Sequence, residues 1–267
     1  MEYREIISDS IDYSRNALVG NWKTWLVFLI CSFPFALMVF LFDPEKLEAG
    51  KTIDWSAFPW VQFIALILAG FLLSFFTGGY IVRVLRGTKP APVFDHWGQI
   101  YLDGIKLMIV ELLWIVPTTI ILGAASGFFV AFTSLGGMTS PGLRLLLVLL
   151  VFVALVFAIV TILCIIPGSI RFARTGSIRE GIRVFALLNT VGAIGLGSYI
   201  LAFVILMVIV IAFFLLTSVL ALIPYLGVVI HLALYPLIIV FSARYLSRVY
   251  DHAAPPAPPV TVPVAGI

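Results

Sequence analysis

One acidic residue stands where an ion is costly. Glu111 sits five positions after Lys106, just before an uncharged run that extends to residue 143. A helix starting near Lys106 would carry it roughly 7–8 Å inward. Insertion scales charge about 2.5–3.5 kcal/mol for an acidic side chain at the centre of a span, and less near the interface. Glu111 must therefore face other helices or water, be protonated, or be paired. It is either a cation or proton site, or half of a structural ion pair. Arginines that could pair with it close three apolar runs: Arg83 with Arg86, Arg171 with Arg174, and Arg244 with Arg248. Lys106 and Arg183 begin the runs that follow the first two pairs. These cations also have two readings of their own. Long basic side chains anchor helix ends by snorkelling to the interface, and clusters beside interfacial helices can bind anionic lipid headgroups.

Other groups with chemical potential are isolated. His231 lies within the last apolar run without a second His, Cys or carboxylate at metal-ligand spacing. It reads as a neutral hydrogen-bonding packing residue or as a ligand contact. Cys31 and Cys164 fall in separate apolar runs and read as small buried hydrophobes. No zinc-protease helix, serine elbow, phosphate loop or dinucleotide fingerprint occurs. With three histidines and few internal acids, acid–base chemistry has little to work with. The expectation is a non-enzymatic protein without cofactor or metal.

The elements that would position these groups follow from composition. Of 267 residues, 62% are hydrophobic and 11% charged, against nearer half and a quarter in soluble domains. A water-soluble core of this size cannot hide that much apolar surface. Disordered, collagenous, coiled-coil and disulfide-rich secreted classes are excluded by the same arithmetic. Charge-free gaps cover 24–42, 55–82, 112–143, 145–170 and 184–243. A span takes roughly 20 apolar residues, so the last gap holds two, with turn signals at Thr217, Ser218, Pro224 and Gly227. The runs are apolar on every side, which disfavours a barrel. The predicted fold is an all-α integral membrane protein with six spans near 23–42, 59–83, 106–132, 142–171, 188–215 and 222–246. Residues 1–252 form a single membrane domain. The uncharged tail 253–267, with five prolines, reads as an extended or disordered cytoplasmic segment. No cleavable signal or lipidation motif is expected at the ends.

Orientation follows from Lys and Arg. Six spans put Arg4, Arg15, Lys23, Arg83, Arg86, Lys89, Lys106, Arg171, Arg174, Arg179, Arg183, Arg244 and Arg248 on one side, and only Lys46, Lys51 and Arg144 on the other. The positive-inside bias predicts cytoplasmic termini in a plasma membrane protein. The net charge of +3 is thus a topology signal, and nucleic acid is not an expected partner.

Three polar stretches look alike. Tyr3, Ile7, Ile11 and Leu18 form one apolar stripe, Phe94, Trp97, Tyr101 and Ile105 a second, and Ile178, Ile182 and Phe185 a third. Each predicts a short helix lying in the headgroup plane before an odd-numbered span. Asp103-Gly104-Ile105-Lys106 reappears as Glu180-Gly181-Ile182-Arg183, and Lys23 and Lys106 each precede a proline by eleven residues. Three repeats, 1–86, 87–174 and 175–248, describe the pattern. So does the simpler reading that six spans joined by amphipathic linkers always look repetitive. Prolines 34, 117, 167 and 236 fall within spans, either opening a cavity or kinking a packed bundle. Gly123, Gly127 and the cluster Gly192, Gly195 and Gly197 read as close-packing surfaces.

The stretch Gly78-Gly79-Tyr80-Ile81-Val82-Arg83-Val84-Leu85-Arg86-Gly87, then Pro92-Val93-Phe94-Asp95-His96-Trp97-Gly98 and Asp103-Gly104-Ile105-Lys106, resembles a known family. It is a multi-pass membrane family found largely in archaea and filed under a domain of unknown function, number 4013. The resemblance implies a polytopic protein of an archaeal plasma membrane. It implies no activity, substrate or catalytic residue.

Two functions fit these features. One is binding or transport of a lipid or small amphipathic solute at the cytoplasmic leaflet, with the bilayer and its anionic headgroups as partners. The other is a non-transporting scaffold or accessory subunit docking partners through its interfacial helices and proline tail. Both need one sidedness. With Cys31 and Cys164 replaced by alanine, cysteines introduced beside Arg83 and beside Arg174 should react with an impermeant maleimide from the same face of the membrane. Labelling from opposite faces would overturn the six-span topology.

Overall fold

The computed structural model describes residues 2–41, 48–49, 52–53, 58–134, 140–220, 223 and 226–253. Its helices, in chain order, are α1 (Tyr3–Leu18), α2 (Trp22–Leu41), α3 (Trp60–Leu85), α4 (Trp97–Ser134), α5 (Pro141–Thr175), α6 (Ile178–Gly181), α7 (Val184–Ile194), α8 (Leu196–Leu220) and α9 (Leu226–Asp251). Between α2 and α3, Glu48–Ala49 pairs antiparallel with Thr52–Ile53. The protein is an all-helical multi-pass membrane protein. Helices α3, α4, α5, α8 and α9 are each long and apolar enough to span. A sixth span arises when α2 is taken with α1, from which it departs at 89°. That right angle follows from composition. The polar face of α1 carries Glu5, Asp9, Asp12 and Arg15, which keeps it in the headgroup plane while apolar α2 plunges.

The other two expected interfacial helices are corrected. The stripe before the third span is the opening of α4, which runs unbroken for 38 residues, about 57 Å at 1.5 Å per residue. Two contacts hold it upright. Asp103 is neutralised by Arg86 at 2.7 Å, and glycines let α4 cross α3 backbone to backbone. A methyl group on Gly104 would lie 1.9 Å from the Phe75 carbonyl oxygen, and one on Gly79 would lie 1.8 Å from that of Ile100. The stripe before the fifth span is only the single turn α6, tucked against α5: a methyl group on Gly168 would meet the Gly181 carbonyl oxygen at 2.5 Å. Buried Trp114 of α4 donates its Nε1–H to that same carbonyl. The expected fifth span divides at Gly195, whose φ of +89° suits glycine and breaks the helix. The apolar α7 precedes the break and α8 follows it.

The last turn is also displaced. Thr217 and Ser218 are helical, and α8 continues to Leu220. The Thr217 hydroxyl donates to the carbonyls of Phe213 and Phe214, so this residue satisfies itself within the helix rather than ending it. All four span prolines are inside helices. Pro167 cannot donate to the carbonyl of Leu163, and the Tyr199 hydroxyl of α8 reaches that oxygen at 3.4 Å. The tail beyond residue 253 lies outside the described residues.

Packing is tightest toward the arginine-rich end. Leu85, Ala173 and Ala243, from the ends of α3, α5 and α9, share one buried cluster with Tyr13, Phe28, Trp114 and Leu187. A second cluster joins Ile6 of α1 and Val191 of α7 to Tyr199, Ala202 and Leu206 of α8 and Tyr245 of α9. At the other end α5 presents Leu145, Val148 and Phe152 with more than 60% of their surface free. In water such a face would be an aggregation site, whereas lipid solvates it.

The glycine crossings carry a direct expectation. Gly104→Ala inserts a methyl group into backbone that cannot yield, so it should cost at least the roughly 1–3 kcal/mol of ordinary overpacking. Gly123→Ala meets nothing within 4 Å and should be neutral or mildly stabilising. Thermal unfolding in detergent, followed by size-exclusion chromatography, distinguishes the two.

Candidate functional site

The basic pairs are mostly spent on the protein itself. Arg83 pairs with Asp95 and donates to the Val93 carbonyl at 3.0 Å. Arg86 reaches Asp103 and donates its Nε–H to the Ala173 carbonyl at 2.9 Å. Arg171 places two N–H groups on Glu180, at 2.8 and 2.6 Å, and Arg183 takes the other oxygen of that carboxylate at 2.7 Å. Arg174 contacts Asp251 at 2.5 Å, donates to Ser247, and lies 4.7 Å from the Tyr250 ring centre. Ser247 in turn donates to the Leu85 carbonyl. The ends of α3, α5 and α9 are thereby tied into one polar knot.

These pairings follow a cyclic order. Asp103, opening the second pair of spans, binds the arginine that ends α3. Glu180, before the third pair, binds Arg171 at the end of α5. Asp9, before the first, binds Arg244 near the end of α9 at 2.8 Å. Asp9 also receives Lys89 at 2.7 Å and lies 3.4 Å from Arg248. Arg244 is 2% exposed and sits over the Tyr13 ring. Burial works against ionising Asp9, but the Lys89 and Arg244 hydrogen bonds outweigh it and hold its carboxyl below the ordinary range.

Glu111 takes no part in this knot. It makes no ion pair or hydrogen bond among the described residues, so of its two expected settings the ion pair with a collar arginine is not found there. Two cavities meet at its side chain. One, of about 440 Å³, lies between α3, α4, α5, α8 and α9. The other, of about 790 Å³, lies between α2, α3, α4 and α9. Their common wall is Ile81, Leu107, Glu111, Tyr235 and Ile239. His231, one turn before Tyr235, lines the larger cavity and stacks near that tyrosine at 6.1 Å between ring centres. Leu85, Ala243 and Leu246 line the smaller cavity, next to the residues of the knot. The apolar linings and these volumes match ordinary small-molecule pockets.

The structure thus brings together Glu111 and His231 among the residues expected from sequence. It places Arg83, Arg86, Arg171, Arg174 and Arg183 in ion pairs away from them. Lys106 is exposed and has no partner among the described residues. Tyr235 and Asp9 were not singled out from the sequence. Tyr235 had a signal, since it follows His231 by four positions and shares its face. Asp9 had none, because its partner lies 235 positions away.

Removing Asp9 tests the ring. Asp9→Asn leaves Arg244 buried without a counter-charge, which should cost stability toward the lower end of about 3–5 kcal/mol, since Asp9 itself is partly solvated. The sign in pH is fixed by the lowered carboxyl. Its stabilisation is full above the unfolded-state value near 4 and is lost as pH falls through the lower folded-state value. Melting temperature in detergent should drop on acidification below about pH 4, and the variant should lose that part of the drop.

No curated protein and no solved structure matches this chain significantly. Residues 62–222, more than half of the chain, match the family described as "Protein of unknown function (DUF4013)". That stretch covers α3 to α8, the Arg86–Asp103 and Arg171–Glu180 junctions and Glu111. The chain therefore belongs to the DUF4013 family, here in the form of a multi-pass membrane protein whose span bundle encloses two cavities around one carboxyl group.

Proposed function

We propose that this protein binds, and allows the movement of, a small amphipathic solute or lipid within the membrane, without catalysing bond chemistry. The observation that carries the reading is a carboxyl group, unpaired among the described residues, in the common wall of two apolar cavities. A carboxyl held without a partner inside a bundle is costly, and a stability-driven sequence would replace it. A ligand that meets it offsets that cost when bound. By contrast, a scaffold acting through its outer surfaces has no need of an internal carboxyl.

In this proposal the arginine-rich end faces the cytoplasm, by the positive-inside bias, and the membrane is the plasma membrane. The knot of Arg86, Arg174 and Ser247 follows directly on Leu85 and Leu246 of the smaller cavity's lining, and in this proposal the ligand exchanges sideways, from the leaflet. The cations Arg4, Arg15, Lys23, Lys106 and Arg179, unpaired among the described residues, remain to meet anionic headgroups, at about 1 kcal/mol each near the surface.

Native mass spectrometry tests this. The purified protein should retain a lipid-like molecule after release from non-ionic detergent. Ala36→Phe, which fills the larger cavity, should lower the occupied fraction several-fold while the protein remains monodisperse. A protein that retains nothing, and shows no flux in proteoliposomes, would sink the proposal.

A further inference from the structure

The polar character of the two cavities is one-sided, and this selects the ligand's charge. Among the described residues, Glu111 is the only carboxylate in either lining, and neither lining includes a lysine or arginine. The basic residues that could have neutralised an anion are turned elsewhere: Arg86 to Asp103, Arg171 and Arg183 to Glu180, and Arg174 to Asp251. Three of the six hydroxyls in the linings point the same way. Ser74, Ser169 and Ser242 line the cavities, yet each donates its hydrogen to a carbonyl of its own helix, those of Phe71, Ile165 and Ile238, at 2.7–2.9 Å. Their remaining lone pairs can only accept. The linings thus hold one carboxyl group and hydroxyl oxygens free to accept, with the Tyr235 hydroxyl and the His231 ring beside them and no ammonium or guanidinium among the described residues.

A phosphate or carboxylate headgroup placed there would find no counter-charge and would be repelled by Glu111. An ammonium group finds the opposite. Its N–H donors match the carboxyl and hydroxyl oxygens, and its hydrocarbon chain matches the isoleucine, leucine and phenylalanine walls. Each partner cancels a desolvation cost that the other cannot escape alone. We infer that the site takes a cationic amphiphile, a single apolar chain carrying a protonated amine, with Glu111 as the counter-ion and the chain extending into the cavities on either side. This inference rests on the proposed binding function and names its ligand class.

Three probes of equal chain length separate charge from greasiness: dodecylammonium, dodecanol and dodecanoate, titrated below their micellar concentrations into the full-length protein in maltoside detergent, with quenching of intrinsic fluorescence as the readout. The ammonium should bind about tenfold or more tightly than the alcohol, as a charge-assisted hydrogen bond implies, and dodecanoate should bind weakest. Glu111→Gln keeps the shape and hydrogen-bonding capacity of the side chain. It should bring the ammonium to parity with the alcohol while leaving alcohol binding within about twofold. Glu111→Asp should restore part of the preference. Equal binding of all three probes, or a preference that survives Glu111→Gln, overturns the charge assignment alone. If no probe binds, or if Ala36→Phe leaves alcohol binding unchanged, the cavity reading itself has failed.

Discussion

Hydrocarbon does not tolerate unbalanced charge, and the arrangement of this bundle answers that constraint at one level of the membrane. Each pair of spans ends in basic residues and each following segment begins with an acid. The acid of one unit neutralises the base of the unit before it: Asp103 with Arg86, Glu180 with Arg171, and, closing the circle, Asp9 with Arg244. The order is set by more than charge. Glycines at 79 and 104, and at 168 and 181, remove the side chains that would keep the partners apart. A guanidinium with 2% of its surface free is tolerable only because a carboxylate and an aromatic face arrive together.

Once the ring is satisfied internally, it does not serve as a ligand site. That shifts attention inward to the carboxyl group the ring leaves out. Glu111 stands on α4 two turns beyond Asp103, yet it faces the cavities. Buried carboxyls without partners are usually selected against on stability grounds. Their persistence marks places where something else sets the requirement. The cavities on either side of it lie between the inner helices α3 and α9 and their neighbours, so that a bound chain would touch most of the spans.

Much of this was legible in the sequence, and the failures have physical reasons. The spans could be read because hydrocarbon demands uninterrupted apolar runs, and α2, α3 and α5 begin and end within about five residues of the charge-free gaps. The fate of the linkers could not. An amphipathic stripe looks the same whether its helix lies flat, as α1 does, or continues into a span, as in α4. Only the fit of Gly104 against Phe75 decides. Gly195 gave a cue for the break between α7 and α8, but it read as a packing glycine because its backbone angle is invisible in sequence. Glu111 was recognisable as an expensive residue; its lack of a partner was not, since arginines lay nearby in every plausible topology. The pairing of Asp9 with Arg244 spans almost the whole chain and leaves no local trace.

That last contact makes the closure of the ring wait for α9. Helix α1 is made before α9, but its buried-face partners Tyr245 and Val249 and its counter-ion Arg244 all belong to α9. Until α9 has entered the bilayer, the opening segment can rest on the surface with Asp9 unmatched, and the circle stays open between the first unit and the third. Contacts so distant along the chain form late because the intervening polymer must first be ordered. Helix α1 thus works as a clasp that fastens only once α9 is in place, and a chain cut short before α9 would carry that clasp with nothing to fasten to.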